Sequence, residues 1–104
     1  MIGRLWKGWA TDENAHAYEE LFRERILPGL RGIDGFVDAY VLCKDMEGET
    51  EITTITLFES MEAIRAFAGE DPTEAHVTPE ARGLLSRFED TVAHYDVVIA
   101  PQTS

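Results

Sequence analysis

The strongest constraint on this chain is its repeated change of side-chain period. Runs in which successive residues alternate between two faces, as strands require, are separated by runs with apolar residues every third or fourth position, as helices require. Alternation holds over residues 2–10, 36–44, 50–59 and 91–99, and the helical spacing over residues 12–28, 60–69 and 78–88. The order is strand, helix, strand, strand, helix pair, strand. Two strand-helix-strand halves of this kind predict an α+β fold, the ferredoxin-like split β-α-β arrangement, with an antiparallel four-stranded sheet and helices on one face.

Local signals agree with that order. Thr11 or Asp12 caps the first helix, whose stripe is Ala15, Tyr18, Leu21, Phe22 and Ile26, and Pro28-Gly29 ends it. Residues 45–49 form a polar, glycine-containing hairpin connection. Ser60 caps a short helix with Met61, Ile64, Phe67 and Ala68 inward, which stops at Gly69. Thr78-Pro79-Glu80 supplies cap, first-turn proline and first-turn acid for the last helix, with Ala81, Leu84, Leu85 and Phe88 inward. At 104 residues the chain is read as one domain, residues 1–104, burying roughly 65% of its unfolded surface.

The two sheet faces differ. The small apolar one (Val37, Ala39, Val41, Ile55, Leu57, Tyr95, Val97, Ile99) is expected beneath the helices. The other gathers Arg4, Trp6, Asp38, Tyr40, Thr54, Thr56, Phe58, His94 and Asp96. Soluble monomers seldom expose so many aromatics together, so the sequence predicts a cover for this mixed face, most economically an identical subunit about a two-fold axis.

Composition narrows the partners. A formal net charge of −11, from 20 acidic residues against nine Lys and Arg, argues against nucleic acid, whose phosphates need clustered cations. No run approaches the ~18 apolar residues of a membrane span, and residues 1–10 do not resemble a secretory signal. One cysteine, Cys43, excludes an internal disulfide and reads as a small buried hydrophobe. The cytoplasm is the expected location, with no membrane partner.

Several stretches, taken together, have a familiar pattern: Arg4-x-Trp6-x-Gly8-Trp9, the run from Leu57 to Asp71, Pro79-Glu80-Ala81-Arg82, and His94-Tyr95-Asp96-Val97. Over nearly its whole length the chain resembles the antibiotic biosynthesis monooxygenase-like family of dimeric α/β-barrel proteins. The resemblance implies a homodimer whose sheets face each other and a ligand cleft, either between sheet and helices or at the dimer interface. It also implies activities found in that family: oxygenation of polycyclic phenols such as anthrones without metal or flavin, or haem degradation. The haem-degrading pattern fits less well, because the first strand has no asparagine, Phe67 stands where a tryptophan would be, and only His76 lies near the place of the iron ligand.

The candidate site follows. His94 is the expected general base, since imidazole can take a proton from a phenol or an activated C–H at neutral pH. Asp96, on the same strand face, would orient it. Arg4 would stabilise an oxyanion, Trp6, Tyr40 and Phe58 would form aromatic walls for a small aromatic or polyketide-type molecule, and His76 would gate the cleft. The three histidines show no metal-ligand spacing, and no cofactor is expected. The competing reading is a non-catalytic dimeric module that binds a small apolar ligand or is structural, with His94 serving the packing.

Overall fold

A computed structural model describes residues 1–75 and 77–101. The elements are β1 (Ile2–Ala10), α1 (Asp12–Leu21), a π-helical turn (Phe22–Ile26), α2 (Leu27–Arg31), β2 (Phe36–Asp45), β3 (Thr50–Phe58), α3 (Met61–Ala68), α4 (Pro79–Leu84), β4 (Arg87–Phe88) and β5 (Ala93–Asp96). All strand pairs are antiparallel, in the order β2-β3-β1, and β4 and β5 share the far edge of β1. This is the expected ferredoxin-like sheet, with its last strand divided in two. The three caps form as the sequence requires: the side chains of Thr11, Ser60 and Thr78 accept from the backbone N–H groups of Asn14, Ala63 and Ala81, each at 3.2 Å.

The division of the last strand has a local cause. Between β4 and β5 the chain pairs with the loop after α3: Ala75 N donates to Asp90 O at 2.9 Å and Val92 N to Thr73 O at 2.8 Å. That pairing draws residues 90–92 away from β1. The final helix is also shorter than its stripe suggested. Ser86 N donates to Trp9 O at 2.7 Å and Glu89 N to Lys7 O at 3.0 Å, so Phe88 lies in a strand, not on a helix. Beyond β5 one more backbone bond, Val97 N to Met1 O at 2.9 Å, continues the pairing, after which Val98 and Ile99 are 86% and 90% exposed and the expected strand does not go on.

A second correction concerns which face the helices cover. In β3 the even residues Ile52, Thr54, Thr56 and Phe58 are buried, while Ile55 and Leu57 point the other way. Their register partners on the covered side are Gly8, Trp6, Arg4 and Ile2 of β1, and Cys43, Val41, Ala39 and Phe36 of β2. On β1, β3 and β5 the residues of the mixed face therefore lie on the helix side and Ile55, Leu57 and Tyr95 are on the open side, whereas on β2 Ala39 and Val41 are covered as expected and Asp38 and Tyr40 lie open. A register shift between Phe36 and Asp38 carries β2 onto this alignment. As a result Tyr40 and Tyr95 sit on the open face, 49% and 57% exposed, and Cys43 is exposed near the sheet margin, not buried.

The core is built on Phe58, Leu30, Ile52 and Ile64, the largest fully buried side chains, packed with Ala15, Tyr18, Phe22 and Ala68. Full burial of each large apolar side chain contributes about 1.5–3 kcal/mol. No helix of the described residues is long and apolar enough to cross a membrane.

Candidate functional site

Helices α1, α2 and α4 do not close fully on the sheet. The space between them is a cavity of about 520 Å³, within the range of small-molecule sites. Its walls are mostly apolar: Leu21, Phe22, Ile26 and Leu30 from the first helical layer, Phe67 and Ala68 from α3, Ala81 from α4, and Val77 and Val92. The π-helical turn contributes Phe22 and Ile26, and an extra residue per turn there fixes which side chains face the sheet. At the mouth, Arg25 Nη1 lies 2.9 Å from both carboxylate oxygens of Glu80, an exposed pair joining the turn to α4.

The sheet supplies the polar part of the lining: Arg4, Trp6, Thr54 and Thr56. Arg4 is only 7% exposed, and among the described residues it forms no ion pair. Its Nη1 donates to Pro72 O at 2.8 Å and approaches His94 Nε2 at 3.4 Å, and its guanidinium lies 5.6 Å from the centre of the Phe67 ring. Burial pulls its pKa below the ordinary guanidinium range. A buried cation of this kind can receive an anionic oxygen. Trp6 Nε1 donates to Glu89 O at 2.8 Å and its ring packs 6.2 Å from Phe88. Gly8 makes that placement feasible, since a Cβ there would sit 3.0 Å from the indole and 3.2 Å from Leu85.

The sequence-predicted residues are therefore only partly brought together. Arg4 and Trp6 line the cavity. His94 stands directly across the sheet from Arg4 and touches it, but is not part of the lining. Its pKa is held below the ordinary 6.5 by burial and then by the Arg4 charge, so the ring is neutral at pH 7. Asp96 is exposed and, among the described residues, makes no hydrogen bond with His94. Phe58 is fully buried between Phe36 and Phe67, at 5.7 and 5.8 Å, and serves the core. Tyr40 lies on the opposite face of the sheet, its hydroxyl donating to Asp38 at 3.3 Å. His76 lies outside the described residues.

Two lining groups were not anticipated. Tyr18, counted as a core residue of α1, brings its phenol to the cavity beside Thr54. Burial raises its pKa, and the Thr54 hydroxyl partly offsets that. Both could have been suspected from a tyrosine where the stripe otherwise asks for an aliphatic residue, and from threonines at alternate positions on a covered strand.

The family model for antibiotic biosynthesis monooxygenases matches residues 1–79, about three quarters of the sequence. The chain belongs to the antibiotic biosynthesis monooxygenase family. Solved structures agree on the fold. A monooxygenase from the ActVA-Orf6 gene of Streptomyces coelicolor, in complex with the ligand nanaomycin D, aligns at 17% identity over 96% of this chain and 91% of that one, with a TM-score of 0.65. The protein Rv0793 from Mycobacterium tuberculosis aligns at 16% identity over 96% and 97%, with a TM-score of 0.65. A MhuD variant with two manganese protoporphyrin IX molecules per active site aligns at 19% identity over 96% and 97%, with a TM-score of 0.62. No curated protein matches the sequence. Membership of the antibiotic biosynthesis monooxygenase family gives the site its context, and its chemistry has to come from the residues above.

Proposed function

We propose that this protein is a homodimeric, cofactor-independent monooxygenase acting on a small aromatic or polyketide-type substrate with an acidic hydroxyl. The observation that carries the reading is Arg4: a buried guanidinium without an ionic partner among the described residues, set in the wall of an otherwise apolar cavity. The apolar walls take the ring system, and Arg4 takes the oxygen that loses its proton. An arginine in a dry site stabilises a developing phenolate far more than water-exposed charges do. The electron-rich anion is the form that passes an electron to dioxygen, after which one oxygen atom joins carbon and the other leaves as water. His94, neutral and beside Arg4, is assigned the substrate proton, and its contact with Arg4 gives way when the substrate oxygen reaches the guanidinium. Haem degradation is less favoured by the sequence, since the first strand has no asparagine and Phe67 stands where a tryptophan would be.

Oxygen uptake in the presence of an anthrone tests the proposal. Consumption of dioxygen matched to loss of anthrone is expected, and Arg4→Gln should lower kcat/KM by about 100-fold, as loss of one anion-stabilising donor does elsewhere. Binding of anthrone without oxygen uptake would instead identify a carrier, and unchanged turnover in Arg4→Gln would remove the arginine from the reaction. His94→Gln, which keeps a hydrogen-bonding side chain but cannot accept the proton, should lower kcat with little change in KM.

A further inference from the structure

Among the described residues Thr54 makes the sharpest unmet demand. Its Oγ1 is closed off from solvent and has no hydrogen-bonding partner, although its side chain forms part of the cavity wall. Folded chains rarely leave a buried hydroxyl unpaired without a use for it. In the same wall lies the phenol of Tyr18, which α1 brings over the sheet. The Thr54 hydroxyl stands close enough to pull the Tyr18 pKa down against the rise that burial imposes, yet the two are not aligned as donor and acceptor. Tyr18 is only 4% exposed and lines the same cavity.

The register places this pair away from Arg4. Arg4 stands opposite Thr56, and Thr54 lies two residues further along β3, opposite Trp6. Two residues of strand separate the positions by about 7 Å. The cavity thus has two polar positions on the sheet, one cationic and one of neutral hydroxyls, beneath apolar helical walls.

We infer that Tyr18, aligned by Thr54, is a second polar subsite that selects ligands carrying a second oxygen on the ring remote from the acidic hydroxyl. Tyr18 donates to that oxygen, and the Thr54 hydroxyl donates to the Tyr18 oxygen behind it, which completes the hydrogen bonding of both. The preferred substrate class is a fused-ring aromatic with oxygens at both ends. A site built with hydroxyls for such a contact discriminates against the analogue lacking it, because that analogue leaves the hydroxyls unpaired. The inference rests on the cavity being the aromatic site proposed above. Thr54 is a positioning residue here and Tyr18 the contact.

The test compares 2-naphthol with 2,6-dihydroxynaphthalene by calorimetric titration of the intact protein. The dihydroxy compound should bind about three- to tenfold more tightly, the range of one neutral hydrogen bond. Tyr18→Phe keeps the ring and Thr54→Val keeps the volume; each should bring the ratio of the two dissociation constants close to one, whatever it does to the affinity for 2-naphthol itself. Arg4→Gln should weaken both compounds and preserve the ratio. If 2-naphthol binds but the wild-type ratio is already one, or if the ratio survives Tyr18→Phe, the second subsite is wrong. If only Thr54→Val leaves the ratio intact, the alignment by Thr54 is wrong. Binding of neither compound overturns the reading of the cavity, and this inference with it.

Discussion

Burial, and after it the guanidinium of Arg4, lower the pKa of His94, and the consequence can be measured directly. Burial and that neighbouring charge both disfavour the imidazolium, so the ring in the folded protein protonates below 6.5. The unfolded chain then binds the proton more readily than the folded one. This contribution to stability is fully present above pH 6.5 and is lost as pH falls through the lower folded value. Proton NMR of the His94 ring should give a midpoint below 6.5, moving back up in Arg4→Gln; a wild-type midpoint at or above 6.5 would contradict the contact. Thr54 gives a second residue-scale expectation, since Thr54→Val removes an unpaired buried hydroxyl without changing volume. The ligand-free variant should melt higher, by about 1 kcal/mol of stability, whereas an ordinary, well-bonded threonine would cost stability on the same change. Arg4, Trp6 and His94 were legible as polar or aromatic residues on an alternating run. Tyr18 was not, because a phenol at a stripe position looks the same in sequence whether its hydroxyl meets solvent or a cavity. Asp96 was overvalued because strand alternation gives the side of the sheet but not the distance past its edge.

Elements were readable from period and caps, and their ends and faces much less so. The helix starts at Thr11, Ser60 and Thr78 fall where capping chemistry puts them. The last strand was misjudged because its backbone partners include a loop 15–20 residues away in sequence, and no local pattern encodes that choice. The inverted faces have a different cause. Apolarity usually marks the face that helices cover, but here the helices enclose a cavity, and its polar lining makes the covered face look like the wet one. The joint between α2 and β2 shows how tightly the layers are nevertheless fixed. Gly35 has φ of +91°, its carbonyl accepts from Glu59 N at 2.7 Å, and a Cβ there would sit 2.6 Å from that of Ala63 on α3. Gly35→Ala therefore meets both a disfavoured backbone angle and a helix that cannot retreat without opening the core at Ile64. Denaturant unfolding should show a loss of about 2 kcal/mol or more. Ala63→Gly in the same chain should recover the steric part only.

At the scale of the whole molecule, the open sheet face is the feature that one chain cannot satisfy. Ile55 sits at its centre, with Leu5 opposite on β1 and Tyr40 opposite on β2. Tyr40, Leu42 and Tyr95 are 49%, 51% and 57% exposed, while Lys7 and Glu51 pair with each other at 3.6 Å. In the proposed dimer a second copy would meet this face about a two-fold axis and cover its exposed Tyr40, Leu42 and Tyr95 at the usual sheet spacing of about 10 Å. The charge works against association, because each chain carries a formal net charge of −11. Salt screens that repulsion and leaves the apolar contact intact, so dimerisation should tighten as ionic strength rises. Light scattering should give a mass about twice the 11.7 kDa of one chain, whereas a wild-type mass of one chain at high protein concentration and high salt would rule the dimer out. Ile55→Glu places an unpaired carboxylate at the centre of the contact and should yield monomers. Because Ile55 points away from the cavity, the monomer should still bind 2-naphthol. Loss of binding together with dissociation would instead mean that the partner subunit shapes the cavity through the sheet it leans on.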